Sequence, residues 1–247
     1  MAAYELRYIK TGTVPGREDL LYQGGDSTKV RQGPVYVFYV KTDRDVILVD
    51  ASFHMDDART MGVEKVVTRT LPDEDPLYAL QNAGIKPEDV TKLILTHAHF
   101  DHVGYVDAFP NATVYVHRRE LAWVSGLPNW SIGYGSFAVE KLNRVWKRLS
   151  VIDGERAQIL PGIEVVYAGG HSAGSLAVLI DTKKGRVCLC GDNCFLYKTI
   201  EEGIPIGLTN DLYESLEFME KLPLLGDILI PGHDPLFYER FPNGIVA

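Results

Sequence analysis

"THAHFDHVG", residues 96–104, places three of the chain's seven histidines and an aspartate within six consecutive positions. It continues the apolar run "VTKLILT" (90–96), which reads as a buried strand. His97 and His99 lie two apart at the strand's end, so an extended backbone projects both imidazoles to the same side. Asp101 and His102 follow at the turn, and Gly104 lets the chain change direction there. Imidazole nitrogens beside a carboxylate oxygen suit zinc or a similar divalent ion. An adventitious surface chelator belongs in a polar loop, whereas this cluster closes an apolar strand.

Four local donors do not complete a two-metal site, so this reading requires further histidines or aspartates at turns after later strands. His171 follows "IEVVYAGG", Asp192 follows "VCLCG" and His233 follows "DILIPG". Each comes directly after a glycine, where the backbone can bend tightly and hold a side chain over a sheet edge.

Strand-like runs fall at 35–40, 45–50, 92–96, 112–117, 163–168, 175–180, 186–190 and 227–231. Helical periodicity predicts a helix over 138–149, with Val139, Leu142, Val145, Trp146 and Leu149 on one face. A second helix is predicted over 210–222, with a stripe of Leu212, Leu216, Met219 and Leu222 and a cap at Asn210 or Asp211. A third covers 75–84 and ends at Gly84. Strands come in two blocks, each followed by helices, which favours two packed sheets with helices outside over a doubly wound parallel sheet. With no repeat, low-complexity tract or linker, residues 1–247 are expected to form one domain.

Lys+Arg 25 against Asp+Glu 33 gives a net charge of -8, and no basic run exists, so nucleic acid is not an expected partner. No apolar stretch approaches the ~20 residues needed to cross a bilayer. The start "MAAYELRYIKTG" lacks a secretory pattern, so no membrane association and a cytoplasmic location are expected. Cys188, Cys190 and Cys194 do not resemble a disulfide framework; Cys188 and Cys190 read as reduced core residues on one strand face, or else as a ligand pair beside an aspartate.

Taken in order, His97-x-His99-x-Asp101-His102, His171, Asp192 and His233 resemble the metallo-β-lactamase superfamily, and the likeness spans most of the chain. "ILVDAS" (47–52) is similar to that superfamily's opening motif, which places Asp50 behind the ligands. The resemblance implies an α/β (α+β) fold, a four-layer αβ/βα sandwich of two mixed sheets with helices outside. It implies that His97, His99 and His171 hold one metal, that Asp101, His102 and His233 hold another, and that Asp192 bridges. Two divalent ions are therefore expected, zinc first, with cobalt, manganese or iron able to take the same donors. Such a pair lowers the pKa of a bridging water and presents hydroxide at neutral pH. Asp101 is expected to carry a proton to the leaving group. The expected reaction is metal-dependent hydrolysis of an ester bond.

Among the superfamily's branches the chain most resembles the N-acyl homoserine lactonases, so a lactone or similar cyclic ester is the expected small-molecule substrate, and a homodimer the expected assembly. Two departures bear on the substrate. Where that branch often carries a tyrosine three residues after the bridging aspartate, this chain has Phe195. Tyr197 is the candidate to reach back in its place, or else is simply a loop or strand residue. Tyr105, where a second glycine is common, is expected to project into the pocket and narrow it. Residues 17–34 are expected to form a loop over the site or a subunit contact, and Trp130, Tyr134 and Phe137 to line an apolar pocket or simply to pack. Another ester, cyclic amide or phosphotriester hydrolase on the same centre, with Lys198 and Arg31 as possible cations, is the alternative enzyme, and a metal-binding scaffold the alternative without catalysis.

Overall fold

Alternation along the strands builds the molecule. The computed structural model describes residues 3–127 and 135–247. One sheet contains, in spatial order, β1 (Leu6–Arg17), β2 (Val30–Lys41), β3 (Val46–Val49), β4 (Lys92–Ile94), β5 (Thr113–His117) and β6 (Leu149–Ile152). The second comprises β7 (Arg156–Leu160), β8 (Ile163–Tyr167), β9 (Leu176–Thr182), β10 (Gly185–Leu189) and β11 (Ile228–Ile230), in the order β11-β10-β9-β8-β7. Tyr36, Phe38, Ile47, Val49 and Ile94 of the first sheet meet Val165, Val178, Ile180, Val187 and Ile230 of the second in the central core. Their neighbours on the opposite pleat, Val37, Tyr39, Leu48 and Leu93, face outward into a helical layer with Leu80, Val103, Leu142 and Val145. Leu179 and Cys188 do the same on the other side, against Phe218 and Leu222. Both faces of each sheet are thereby covered, giving the expected helix-sheet-sheet-helix layering.

The helices are α1 (Glu18–Leu21), α2 (Met55–Thr60), α3 (Pro76–Asn82), α4 (Phe100–Val103), α5 (Arg118–Gly126), α6 (Gly135–Arg144), α7 (Tyr197–Glu202), α8 (Leu212–Lys221) and α9 (Pro235–Arg240). Asp75 starts α3 by accepting from the Leu77 and Tyr78 amides, and Asp211 starts α8 from the Tyr213 and Glu214 amides.

Two helix expectations need correction, and one strand was not expected. Residues 6–17 form a full strand, paired antiparallel with β2, although "LRYIKTGTVPGR" lacks a continuous apolar run. As the edge of its sheet, β1 needs only one well-paired flank and tolerates its lysine, threonines and proline. The helix over 138–149 stops at Arg144: Trp146–Arg148 make a tight turn, Trp146 is exposed, and Leu149 begins β6 beside β5. Arg148 fixes this turn by donating to the Phe109 and Ala112 carbonyls. In α8 the buried face is Ser215, Phe218 and, just beyond it, Leu222, while Leu212 and Leu216 are each 41% exposed. Trp130 and Tyr134 lie outside the described residues, as does the side chain of Phe137.

Candidate metal centre

Strand direction collects the donors. β3 and β4 run parallel, β10 and β11 run parallel, and β8 runs with β10 because each is antiparallel to β9. Asp50, the His97–His102 segment, His171, Asp192 and His233 each follow the C-terminal end of one of these strands, so all converge on one edge of the sandwich. A hydrogen bond from the Leu176 amide to the Thr96 carbonyl, 2.8 Å, clamps the two sheets together there. Before His171 the chain turns through Gly169 and Gly170, both in the left-handed region, and a Cβ on Gly170 would lie 2.4 Å from Ser215 Oγ.

Two groups of donor atoms result, each with its members within 4.8 Å of one another: His97, His99, His171 and Asp192, and beside them Asp101, His102 and His233. In the first, His99 Nδ1 lies 2.8 Å from both His97 Nε2 and His171 Nε2, which are 3.2 Å apart. In the second, Asp101 Oδ2 is 3.6 Å from His233 Nε2 and 3.7 Å from His102 Nε2. Asp192 faces both groups. Its Oδ2 lies 3.7 Å from His97 Nε2 and 3.5 Å from His171 Nε2, and its Oδ1 3.3 Å from His102 Nε2 and 3.1 Å from His233 Nε2. All are buried except His99, which is half-buried and lines the cavity described below.

The opposite ring nitrogens are anchored, which aims the donor nitrogens inward. His171 Nδ1 donates to the Leu208 carbonyl and His233 Nδ1 to the Pro34 carbonyl, each at 2.9 Å. His102 Nδ1 meets Asp50 Oδ2 at 2.8 Å. His97 Nδ1 lies 3.1 Å from Thr96 Oγ1, whose hydroxyl lies 2.8 Å from Asp50 Oδ2. Asp50 also accepts from the Thr96 amide at 2.7 Å, so a single carboxylate orients a donor from each group. Asp50 and Ser52 both hold positive φ, 64° and 54°, a conformation that non-glycine residues keep only where the surroundings enforce it.

Burial and the neighbouring imidazoles hold His97 and His99 well below the ordinary histidine range, and burial lowers His171, which favours neutral imidazoles. His102 and His233 behave oppositely: burial works against their charge, but Asp192 and Asp101, with Asp50 at His102, raise both. A cation entering beside these two would displace their protons. Among the described residues, His102 Nε2 and Asp192 Oδ1 are buried with no hydrogen-bond partner. Five imidazoles, two carboxylates and two buried polar atoms awaiting partners fit a pair of divalent cations.

A cavity of about 400 Å³ opens onto the donors. His99, Asp101, Asp192 and His233 line its metal end, and Val14, Met61, Val67, Leu21, Phe195 and Leu208 are among its apolar walls. Segment 17–34 does border the site, through Leu20, Leu21, Arg31, Gln32 and Gly33, but as α1 and the start of β2 rather than as a loop throughout. Phe195 lines the cavity, its ring centroid 5.4 Å from that of His171 and 5.8 Å from that of His233.

The two tyrosines depart from expectation. Tyr197 does not line the cavity: it is buried in the central core, its ring is covered by the Arg240 guanidinium at 3.6 Å, and its amide donates to Asp234. Tyr105 also turns away, held by Arg69 Nη1 on its hydroxyl at 3.1 Å and by the His54 ring at 5.3 Å, and it borders a separate surface cleft. Neither narrows the cavity or reaches the donors. Lys198 pairs with Glu202 and does not line the cavity, and Arg31 lines it but is bound to Glu18 at 2.7 Å. His54 and His117 cap α2 and α5. Thr96 and Glu120, which brace the donors, went unnoticed in the sequence, because a lone threonine and a first-turn glutamate carry no local signal.

Such a double cluster of histidine and carboxylate donors at the edge of an αβ/βα sandwich defines a class of metal-dependent hydrolase folds, and the comparisons agree. The sequence pattern of the metallo-beta-lactamase superfamily matches residues 30–233, and the chain belongs to that superfamily. It is 26% identical over 212 residues to an N-acyl homoserine lactonase of Bacillus cereus, covering 81% of each chain. Its fold matches that of an N-acyl homoserine lactone hydrolase with the product N-hexanoyl-L-homoserine at its catalytic metal center, with a TM-score of 0.85, 22% identity and all of both chains covered. A second match is the dizinc quorum-quenching lactonase AidC, at a TM-score of 0.68 and 16% identity, covering 97% of this chain and 88% of that one.

Proposed function

We propose that this chain is a dinuclear-metal-dependent hydrolase that opens a lactone or similar cyclic ester. The observation that carries this reading is the position of Asp192, with one oxygen toward each donor group. The similarity to lactonases over four fifths of the chain supports the substrate class. His97, His99 and His171 would hold one ion and Asp101, His102 and His233 the other, with Asp192 facing both. Zinc is the first candidate for this nitrogen and oxygen set. Bound divalent cations there would supply Lewis acidity toward an ester carbonyl and lower the pKa of a water in the site.

The chain's own residues do the rest. Asp101, lining the cavity and adjoining His102 and His233, takes up and returns the proton that passes to the ring oxygen. Asp50 and Thr96 hold His97 and His102 in the tautomers that present Nε2. The apolar walls seat the substituent of the ring and exclude water from it. With Phe195 in place of a phenol, and Tyr197 and Tyr105 directed elsewhere, no tyrosine among the described residues lines the cavity to assist the ester oxygen. Among the described residues, Asp101 is therefore the side chain assigned to return the proton to the ring oxygen.

Hydrolysis rates on a panel of alkyl lactones, N-acyl homoserine lactones and neutral phosphotriesters test the reading. Lactones are expected to turn over at least about tenfold faster in kcat/KM than phosphotriesters, a difference of about 1.4 kcal/mol in transition-state binding. Phosphotriester preference would reassign the substrate, and turnover of none would favour the scaffold.

We further read residues 1–247 as one domain, because the inter-sheet core draws on both ends of the chain, from Leu6 to Val246. Three free buried cysteines fit a reducing cytoplasm. Exposed Leu212, Tyr213 and Leu216 on α8 support a homodimer, which light scattering on the purified protein tests.

A further inference from the structure

Glu120 lies in the first turn of α5 and is fully buried. A carboxylate removed from water in this way needs strong donors around it. It has three. Oε1 accepts from the Ala98 amide at 2.8 Å, and Oε2 accepts from the Ser172 hydroxyl at 2.7 Å and the Gly174 amide at 2.9 Å. Ala98 is the residue between His97 and His99, and Ser172 directly follows His171. One side chain therefore grips both segments that carry the three imidazoles of the first donor group, although those segments belong to different sheets. The approach is close: a Cβ on Gly174 would fall 2.2 Å from the Glu120 amide nitrogen and 2.5 Å from its Cβ.

We propose that Glu120 is a positioning residue, which fixes the separation of the His97-x-His99 and His171 segments and so presets the first metal position. The inference rests on the dinuclear reading above. A carboxylate suits the task because all three groups reaching it are donors and it brings none of its own. An amide in its place keeps one acceptor oxygen but turns an NH2 toward an N–H or O–H donor. The repulsion pushes one segment away from the other. Because the three donor nitrogens lie within 3.2 Å of each other, a small shift of either segment changes the ligand field at the first position more than at the second, whose Asp101 and His102 lie further along the His97 segment and whose His233 lies on neither.

The test compares wild type, Glu120→Gln and Ser172→Ala, stripped of metal by a chelator and titrated with cobalt(II) alone. The readouts are the visible d–d spectrum, competition with a chromophoric chelator, and the melting temperature of the metal-free protein. For Glu120→Gln the account expects one of the two cobalt ions to bind about 10–100-fold more weakly, with an altered spectrum, and the other to be weakened by less. Ser172→Ala should move the same readouts in the same direction by less, and it decides the matter if Glu120→Gln does not fold. A purely structural glutamate would lower the melting temperature while both cobalt ions bound with wild-type affinity and spectrum. That result overturns the proposal. Wild type that fails to bind two ions would instead overturn the dinuclear reading, which separates the two failures.

Discussion

Asp192→Asn is expected to leave the chain with at most one tightly bound metal and to lower hydrolysis by about a thousandfold or more, on the order of 4 kcal/mol of transition-state stabilisation. The reason is geometric. Oδ2 serves the His97 and His171 side and Oδ1 the His102 and His233 side, so an amide can offer oxygen to only one of them. Its NH2 faces the other group as a donor, and it removes the negative charge that helps raise His102 and His233. Metal analysis of the purified variant reads the stoichiometry, and kcat on the preferred lactone reads the rate. A variant that kept two ions and near-wild-type kcat would show that Asp192 does not bridge.

Asp101→Asn tests a different function of the same cluster. Asparagine retains an oxygen 3.6 to 3.7 Å from the His233 and His102 nitrogens if it adopts the same rotamer, so the metal count should persist. What it cannot do is accept and return a proton. Removing a general acid-base group costs about 10²–10⁴ in rate, so kcat is expected to fall by that order with little change in KM. A variant that lost KM instead, with kcat preserved, would place Asp101 in substrate binding rather than in proton transfer.

The residues proposed as donors could be read from the sequence because each sits in a short turn directly after a recognisable apolar strand. In "KLILTHAH" and "DILIPGH" the strand and the histidine are contiguous, so local pattern alone points to a sheet edge. What orients those donors was less legible. Asp50 came from a resemblance rather than from spacing, and Glu120 meets Ala98 and Ser172 at separations of 22 and 52 residues, which no local pattern encodes. The pocket tyrosines failed for a related reason. A side chain's direction is set by its partners, and Arg240 over Tyr197 and Arg69 on Tyr105 come from remote elements. β1 escaped notice because its stability comes from pairing with β2 along nearly its whole length rather than from apolar content.

Glu120 adds a physical reason for the spacing of the first donor group. Segments ending two different sheets must meet there, and beside the Leu176–Thr96 hydrogen bond between the sheets Glu120 adds contacts to Ala98, Ser172 and Gly174. Hydrogen bonds to a single charged carboxylate are short and directional, which suits them to setting such a separation.

The most direct test of the whole account is metal content by plasma mass spectrometry on purified protein, coupled to proton release from a lactone panel before and after chelation. The account predicts about two divalent ions per chain, ring opening that stops on chelation, and recovery when metal is returned. Fewer than one ion per chain under metal-replete conditions, with no ring opened, would contradict it and leave a metal-binding scaffold as the better description.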